Sequence, residues 1–415
     1  MSIVKPFKAI RPNTDLASKV ASHPYDVMNE KEARKMVEGN PYSYLHVDRS
    51  EVSMPEGVDV HSPQVYQQAC DNLKKMLKEQ VLIQDETEHL YIYKLADANT
   101  SQLGIVCCTS VDEASENKIK KHEFTRPEKE DDRVNHIDYC NANTSPVFLT
   151  YKTQAEIDHV INDYIKKNTP EYDFKTEDGV SHTVWVIDDN DVCNSLVRLF
   201  KGVECLYIAD GHHRNASAIR VANMRREKAG DYSGEEEFNF YLSVLFPHTQ
   251  LKIYDYNRVV TDLNGLSPQE FFDKIEENFT LEQSAGNKAY RPANKYEYGM
   301  YLDTNWYVLK AKPQVIPDDI IGKLDVSVLQ NSLLAPVLGI NDPRTDKRID
   351  FVGGIRGLEG LMDKVDSGEF KVAFSLFAPS MDELLEVADN GYVMPPKSTW
   401  FEPKLRSGLF VHSLS

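Results

Sequence analysis

The run Cys205-Leu206-Tyr207-Ile208-Ala209-Asp210-Gly211-His212-His213-Arg214 constrains this chain more than any other stretch. An apolar, strand-like segment stops at an Asp-Gly turn, and Asn215-Ala216-Ser217-Ala218-Ile219 then continues as a helix. The unit is also a chemical place. The first turn of a helix leaves backbone N–H groups unpaired and carries a partial positive charge, so it suits an anion. His212, His213 and Arg214 add side-chain donors there, and Arg214 offers a planar fork for phosphate oxygens. Gly211 permits a close backbone approach or a positive φ. A plain helix cap with surface histidines is the competing reading of the same residues.

Elsewhere strands and helices alternate. Residues 3–10 predict a strand, and Asn29 caps a helix running to Glu38 with Gly39 at its end. Tyr44–Val47 predicts a short strand and 49–63 a loop. Helical spacing of Val65, Tyr66, Ala69, Leu73, Met76 and Leu77 predicts a helix over 63–80. Leu90–Leu95 and Gln102–Thr109 predict a hairpin-like pair of strands. Residues 117–145 are very polar and charge-rich. Strands follow at 146–151, 183–187 and 238–246, with helices at 155–166, 191–200 and from the Asp-Gly turn to Lys228. Beyond 251–260 come a helix at 268–279, a hairpin across Asp303-Thr304-Asn305, a long apolar helix over 320–338, and a β-α-β-α pattern over 351–389. The mixture indicates an α/β to α+β fold with mixed sheets, not a bundle or repeat array. A division into 1–110, 111–255 and 256–415 follows, which 415 residues accommodate.

Charge excludes one function class. Lys and Arg total 47 against 65 Asp and Glu, a formal charge of −18. So acidic a chain lacks the cationic face that general nucleic-acid binding requires, though not a local basic pocket. The six cysteines show no paired spacing and read as free buried thiols. Met1–Arg11 has no apolar signal-peptide core, and no stretch is long enough to cross a membrane. A cytoplasmic protein without nucleic-acid or membrane partners is expected.

Two more stretches carry candidate chemistry. In Lys121-His122-Glu123-Phe124-Thr125-Arg126, Glu123 suits a general base beside a hydroxyl. Alternatively it joins Asp131 or Asp132 on a divalent cation, or the run is a solvated, charge-mixed loop. Lys397-Ser398-Thr399 offers one cation and two hydroxyls after Pro395-Pro396, or a stiff tail packed by Trp400 and Phe401. Tyr25-Asp26, His46 and Leu324–Leu329 read as structural.

These stretches, in this order, resemble the bacterial and archaeal domain-of-unknown-function family 1015. The likeness rests on Pro6–Pro12, Pro24–Val27, Asn40–Val47, His122-Glu123-Phe124-Thr125 with Asp132-Arg133, Ala209–Arg214, Leu324–Leu329 and Met394–Thr399. Two positions depart from it. Asn215 stands where the family usually has Tyr, and Asn257-Arg258 where a His-Arg pair is expected. The family's Asp-Gly-His-x-Arg turn is similar to that of ParB/sulfiredoxin-like proteins, including archaeal free-serine kinases. The resemblance therefore implies a ParB/sulfiredoxin-like core with additional N-terminal and C-terminal α/β regions. It implies that Asp210, Gly211, His212, His213 and Arg214 bind phosphate or nucleotide, with Arg133, Lys397, Ser398 and Thr399 as further ligands. Glu123 would be the base, supported by His122 and His213. ATP or ADP with Mg²⁺ would serve phosphoryl transfer on a small hydroxylated metabolite, serine or phosphoserine first. A phosphoserine phosphatase-like hydrolase and a non-catalytic nucleotide-binding regulatory module are the alternatives. An oligomer is compatible with either.

Overall fold

Why a strand can hand over to a helix at Asp210 is visible in the computed structural model, which describes residues 2–415. Among those residues the chain forms two compact units, 1–251 with 403–415, and 252–402. The largest sheet of the first unit has nine strands. Its order is Ile119–Lys120, Leu206–Asp210, Val147–Tyr151, Phe240–Pro247, Ser101–Ser110, Leu90–Ala96, Ser181–Ile187 and Tyr172–Lys175, with Val4–Lys5 added beside Ser101–Ser110. Two pairings are parallel, Leu206–Asp210 with Ile119–Lys120 and Val147–Tyr151 with Phe240–Pro247. This is a mixed α/β sheet, as the alternation of elements implied. Its core joins Leu149, Tyr151, Phe200, Ile208 and Leu245 to Leu196 and Ala218 of the covering helices Asn190–Phe200 and His212–Ala229.

The expected boundary at 110–111 does not exist. Ser101–Ser110 is a central strand, paired on one side with Leu90–Ala96 and on the other with Phe240–Pro247. Separating it would expose backbone on both edges. The boundary expected at 255–256 lies at 251–252. The C-terminal tail also rejoins the first unit: Ile10 and Val411 exchange backbone hydrogen bonds, and His412 pairs with Asn143.

Several elements differ from the sequence expectation. Residues 3–10 split into the short strands Val4–Lys5 and Ile10–Pro12, because Pro6 has no N–H for a ladder. Tyr44–Val47 belongs to a helical turn, Leu45–Asp48, whose Leu45 and Val47 are buried. The charged 117–145 region contains the helix Pro127–Cys140, started by proline and buried at Val134, Ile137 and Cys140. The long helix over 320–338 is interrupted. The Asp319 carboxylate accepts the N–H groups of Ile321 and Gly322, a local turn that competes with helix. The helix begins only at Asp325–Leu329 and passes into a π-helical turn, Gln330–Leu334.

The second unit is built on a six-stranded antiparallel sheet in the order Phe279–Gln283, Asn305–Ala311, Glu297–Leu302, Val372–Leu376, Tyr256–Val260 and Ile349–Gly353. Phe271 and Ile275 of the helix Pro268–Asn278 pack on one face with Leu329 and Leu333. Leu361 of Glu359–Asp366 packs with Trp306 in a second cluster. All six cysteines are free and buried. Among the described residues no helix is long and apolar enough to cross a membrane.

Candidate functional site

The Asp-Gly turn is built by the sheet. Leu206–Ala209 are buried, and a register shift against Val147–Tyr151 between Ile208 and Asp210 leaves Ala209 unpaired and puts Asp210 opposite Phe148 at the end of the ladder. Gly211 follows at φ 94° and ψ 33°, a left-handed conformation that glycine adopts without a side-chain penalty. It is the N-cap of the 18-residue helix His212–Ala229 and supplies no side-chain cap. The first-turn N–H groups of His212, His213 and Arg214 therefore face the turn without a capping oxygen.

The neighbouring strand delivers the second motif. Ile119 and Lys120 run parallel to Leu206 and Tyr207, so Lys121-His122-Glu123 leaves the sheet on the same side as Asp210-Gly211-His212. His122 and His212 meet edge to face, their ring centroids 4.6 Å apart. Glu123 Oε2 lies 3.9 Å from His212 Nδ1, and the Glu123 side chain is 38 % exposed. His213 Nε2 accepts the Arg126 N–H at 3.1 Å, tying the 121–126 segment to the helix start.

Burial sets the charge of this cluster. It pushes His122 down to about 4, partly offset by a hydrogen bond to the Ile208 backbone. His212 is held well below its ordinary value by burial and by His122, and burial also lowers His213. The imidazoles are neutral at pH 7, so positive charge comes from elsewhere. Burial alone would raise the Asp210 carboxyl, but Lys404, Arg214 and His212 outweigh it and hold it at about 2. Lys404 Nζ stands 3.8 Å from Asp210.

Arg214 is not an open fork. Its Nη2 donates to Asp210 at 3.1 Å and its Nη1 to the Pro146 carbonyl, and the side chain is buried. Burial opposes its charge, yet Asp210, Asp26, Tyr25 and Asp48 keep it above its ordinary value. Three polar atoms of the first turn, His212 Nε2, Arg214 Nε and Asn215 Oδ1, are buried without a hydrogen-bond partner.

A polar layer supports the turn from beneath. Arg133 is buried, donates to Asp132 at 2.7 Å and lies 4.1 Å over the Tyr25 ring. Ser145 donates to Asp48 at 2.5 Å and sits 2.8 Å from the Ser407 hydroxyl. Tyr25, Arg133, His136, Ser145 and Arg214 line a small cavity suited to water and too small for a metabolite. Tyr25 and Asp26, which read as structural in the sequence, are electrostatic neighbours of Arg214. Their position next to the fixed turn residue Pro24 was the one signal available. Lys404 had none, because only the returning tail places it beside Asp210. His46 fits its structural reading: its ring contacts Ser53 Oγ at 2.8 Å.

The cation site that would join Glu123 to Asp131 or Asp132 is not formed. Asp131 pairs with Arg220 at 2.7 Å and Asp132 with Arg133 at 2.6 Å. Among the described residues no group of three or more His, Cys, Asp or Glu is placed to hold a metal ion. Lys397, Ser398 and Thr399 stand in the second unit. There the Lys397 carbonyl accepts from Arg258 at 3.1 Å, and Ser398 donates to the Pro395 carbonyl at 2.6 Å.

With this geometry in hand, the comparisons define a class. The family described as "Protein of unknown function (DUF1015)" matches residues 4–327, and the chain belongs to it. No curated protein matches. Solved structures similar to the chain include a conserved hypothetical protein from Pyrococcus furiosus, at 13 % identity and a TM-score of 0.36 over 76 % of this chain and 98 % of that one. A free serine kinase in complex with AMP shows 13 % identity and a TM-score of 0.36 over 74 % of this chain and 91 % of that one. SbnI with a C-terminal truncation, from Staphylococcus aureus, shows 12 % identity and a TM-score of 0.38 over 74 % and 87 %. Likenesses at these scores carry no functional argument.

Proposed function

We propose that the Asp210–Arg214 turn is the phosphate-binding centre of a phosphotransferase acting on a small hydroxylated metabolite, on a ParB/sulfiredoxin-like core. The observation that supports it most is an uncapped 18-residue helix opening beside a neutral imidazole pair and a half-exposed carboxylate. Adenine nucleotide, ATP or ADP, is the phosphoryl donor to test first, and serine the acceptor.

In this reading the N–H groups of His212, His213 and Arg214 hold phosphate oxygens, with Lys404 and the helix start supplying positive charge. Glu123 takes the acceptor's hydroxyl proton. The alkoxide-like oxygen then bonds to phosphorus as the bond to the leaving phosphate oxygen breaks. Such transfer depends on positioning and charge neutralisation more than on covalent help from the protein. Neutral His122 and His212 suit this role, because each can donate an N–H without competing with Glu123 for the proton. His213 fixes the segment that carries Glu123. Arg214 and Arg133 act from beneath, holding Asp210 and Tyr25. No step here uses a metal ion.

The full chain incubated with ATP or ADP and L-serine should form phosphoserine. Glu123→Gln should lower kcat by about 10²- to 10⁴-fold, the usual worth of a positioned general base, with nucleotide affinity retained. Unchanged turnover in that variant would remove Glu123 from the mechanism. Phosphate released from phosphoserine with no nucleotide present would replace transfer by hydrolysis.

A further inference from the structure

The candidate site leaves one roomy cleft of the first unit unused. His23, just before Pro24, lines it together with Asn40 and Ser43 of the Asn40–Val47 stretch, and with Thr176, Asp178 and Arg406. All of these residues belong to the first unit, and none belongs to the candidate site. The free space is about 310 Å³, in the range of clefts that hold small molecules, whereas the cavity beneath the turn suits only water.

Arg406 is the group in this cleft with unused capacity. Its side chain is 4 % exposed. Nη2 donates to Asp178 and, at 3.2 Å, to Thr176 Oγ1, and Nε donates to His182 Nε2 at 3.4 Å. Nη1 makes no hydrogen bond among the described residues, so it is the nitrogen left for the cleft. A buried guanidinium nitrogen without an acceptor costs free energy that a bound acceptor recovers. His23 stands beside it. Its Nε2 lies 3.7 Å from the Asp178 oxygen that Arg406 holds, too far for a hydrogen bond. Burial and the Arg406 charge hold His23 at about 4, so at pH 7 one ring nitrogen is an acceptor. Burial raises the Asp178 carboxyl, but the Thr176 hydrogen bond and Arg406 outweigh it and keep the group ionised.

These groups define a ligand. A free guanidinium nitrogen asks for an oxyanion. Asp178 already holds the neighbouring nitrogen, so a doubly charged phosphate would stand against a carboxylate, and a singly charged group meets less repulsion. A hydroxyl on the same molecule can donate to the neutral His23 ring. We infer that this cleft binds a small monocarboxylate bearing a hydroxyl, its carboxylate on Arg406 Nη1 and its hydroxyl on His23. The inference does not rest on the phosphotransferase reading.

Calorimetric titration of the full chain with glycolate, L-lactate, D-glycerate and 3-hydroxybutyrate tests it. At least one should bind with one-to-one stoichiometry. Its methyl ester, which removes the charge, should bind about 10- to 100-fold more weakly, the usual worth of a charged hydrogen bond. The same acid without its hydroxyl should bind about 2- to 10-fold more weakly, as for a neutral one. Arg406→Lys, which keeps the charge but loses the planar fork, should weaken binding about tenfold or more. His23→Phe, which removes the acceptor nitrogen, should erase the preference for the hydroxylated acid. If Arg406→Lys fails to fold, His23→Phe and the analogue series on the unaltered protein still decide. The inference is overturned if none of the four acids binds, if the ester binds as tightly as its acid, or if His23→Phe retains the preference for the hydroxyl.

Discussion

Replacing Gly211 by alanine probes the turn on which the candidate site is built. Two costs add. A side chain at φ 94° pays the left-handed penalty, roughly 1–2 kcal/mol. The new Cβ would also lie 3.0 Å from both Cζ and Nε of Arg214, closer than such contacts normally settle. The guanidinium must then shift, and it is held by Asp210 at 3.1 Å and by the Pro146 carbonyl. Loosening one charged hydrogen bond costs about 1.5–3 kcal/mol, so the sum is about 2.5–5 kcal/mol. For a unit of this size that lowers Tm by roughly 5–20 °C. Gly211→Asn separates the two terms, because asparagine tolerates the left-handed region but brings the same Cβ contact. Thermal melts followed by circular dichroism should rank glycine above asparagine above alanine. An alanine variant melting within about 1 °C of the parent would refute the reasoning. Equal melting of the two variants would refute its backbone half.

Acid should destabilise the first unit in two stages. His122 is held at about 4, so the unfolded chain takes up a proton below its ordinary 6.5 while the folded one does not. The stability it contributes is complete above 6.5 and lost as pH falls to about 4, at most about 3 kcal/mol. Asp210, held at about 2 against an ordinary 3.8, adds a further loss below that range. Urea midpoints measured from pH 7 to 3 should fall steadily, and His122→Gln should remove only its own share of the upper stage, to which buried His212, His213, His23 and His182 also contribute; a level profile contradicts the burial argument. Away from the site, Arg11 pairs with Asp85 at 2.9 Å and Glu171 at 3.0 Å in a largely buried network. Arg11→Ala leaves Asp85 without its counter-charge and should cost about 3–5 kcal/mol in urea unfolding. A loss under about 1 kcal/mol would show Asp85 to be solvated well enough without it.

What the sequence disclosed depended on how local the determinant was. The Asp-Gly turn, its helix and the helix cap at Asn29 are set by residues within one turn of each other, and they were legible. The hairpin Leu90–Ala96 with Ser101–Ser110 was legible for the same reason. The two-residue strand Ile119–Lys120 was not, since it is too short for any periodicity and exists only because Leu206 and Tyr207 offer a free edge. Nor did spacing show that Asp319 would hold the N–H groups of Ile321 and Gly322 and stop a helix that hydrophobicity favours.

The site shows the same divide with a chemical consequence. His122 and Glu123 sit about ninety residues before His212, and their association was readable only as motif order. Parallel pairing of Ile119–Lys120 with the strand before Asp210 turns that order into contact. Charge was the least legible property. Three histidines and an arginine in a row of motifs read as a cationic cradle, but burial neutralises the imidazoles, and Asp210 occupies the arginine. Positive charge beside Asp210 also comes from Lys404, carried there by a tail that crosses back to pair with Ile10 and Asn143. An anion bound at the turn would meet the backbone N–H groups of the helix start, Lys404 beside Asp210, and Arg126 and Lys129 beside His213, so the positive charge of the proposed site comes from side chains around the turn more than from its histidines.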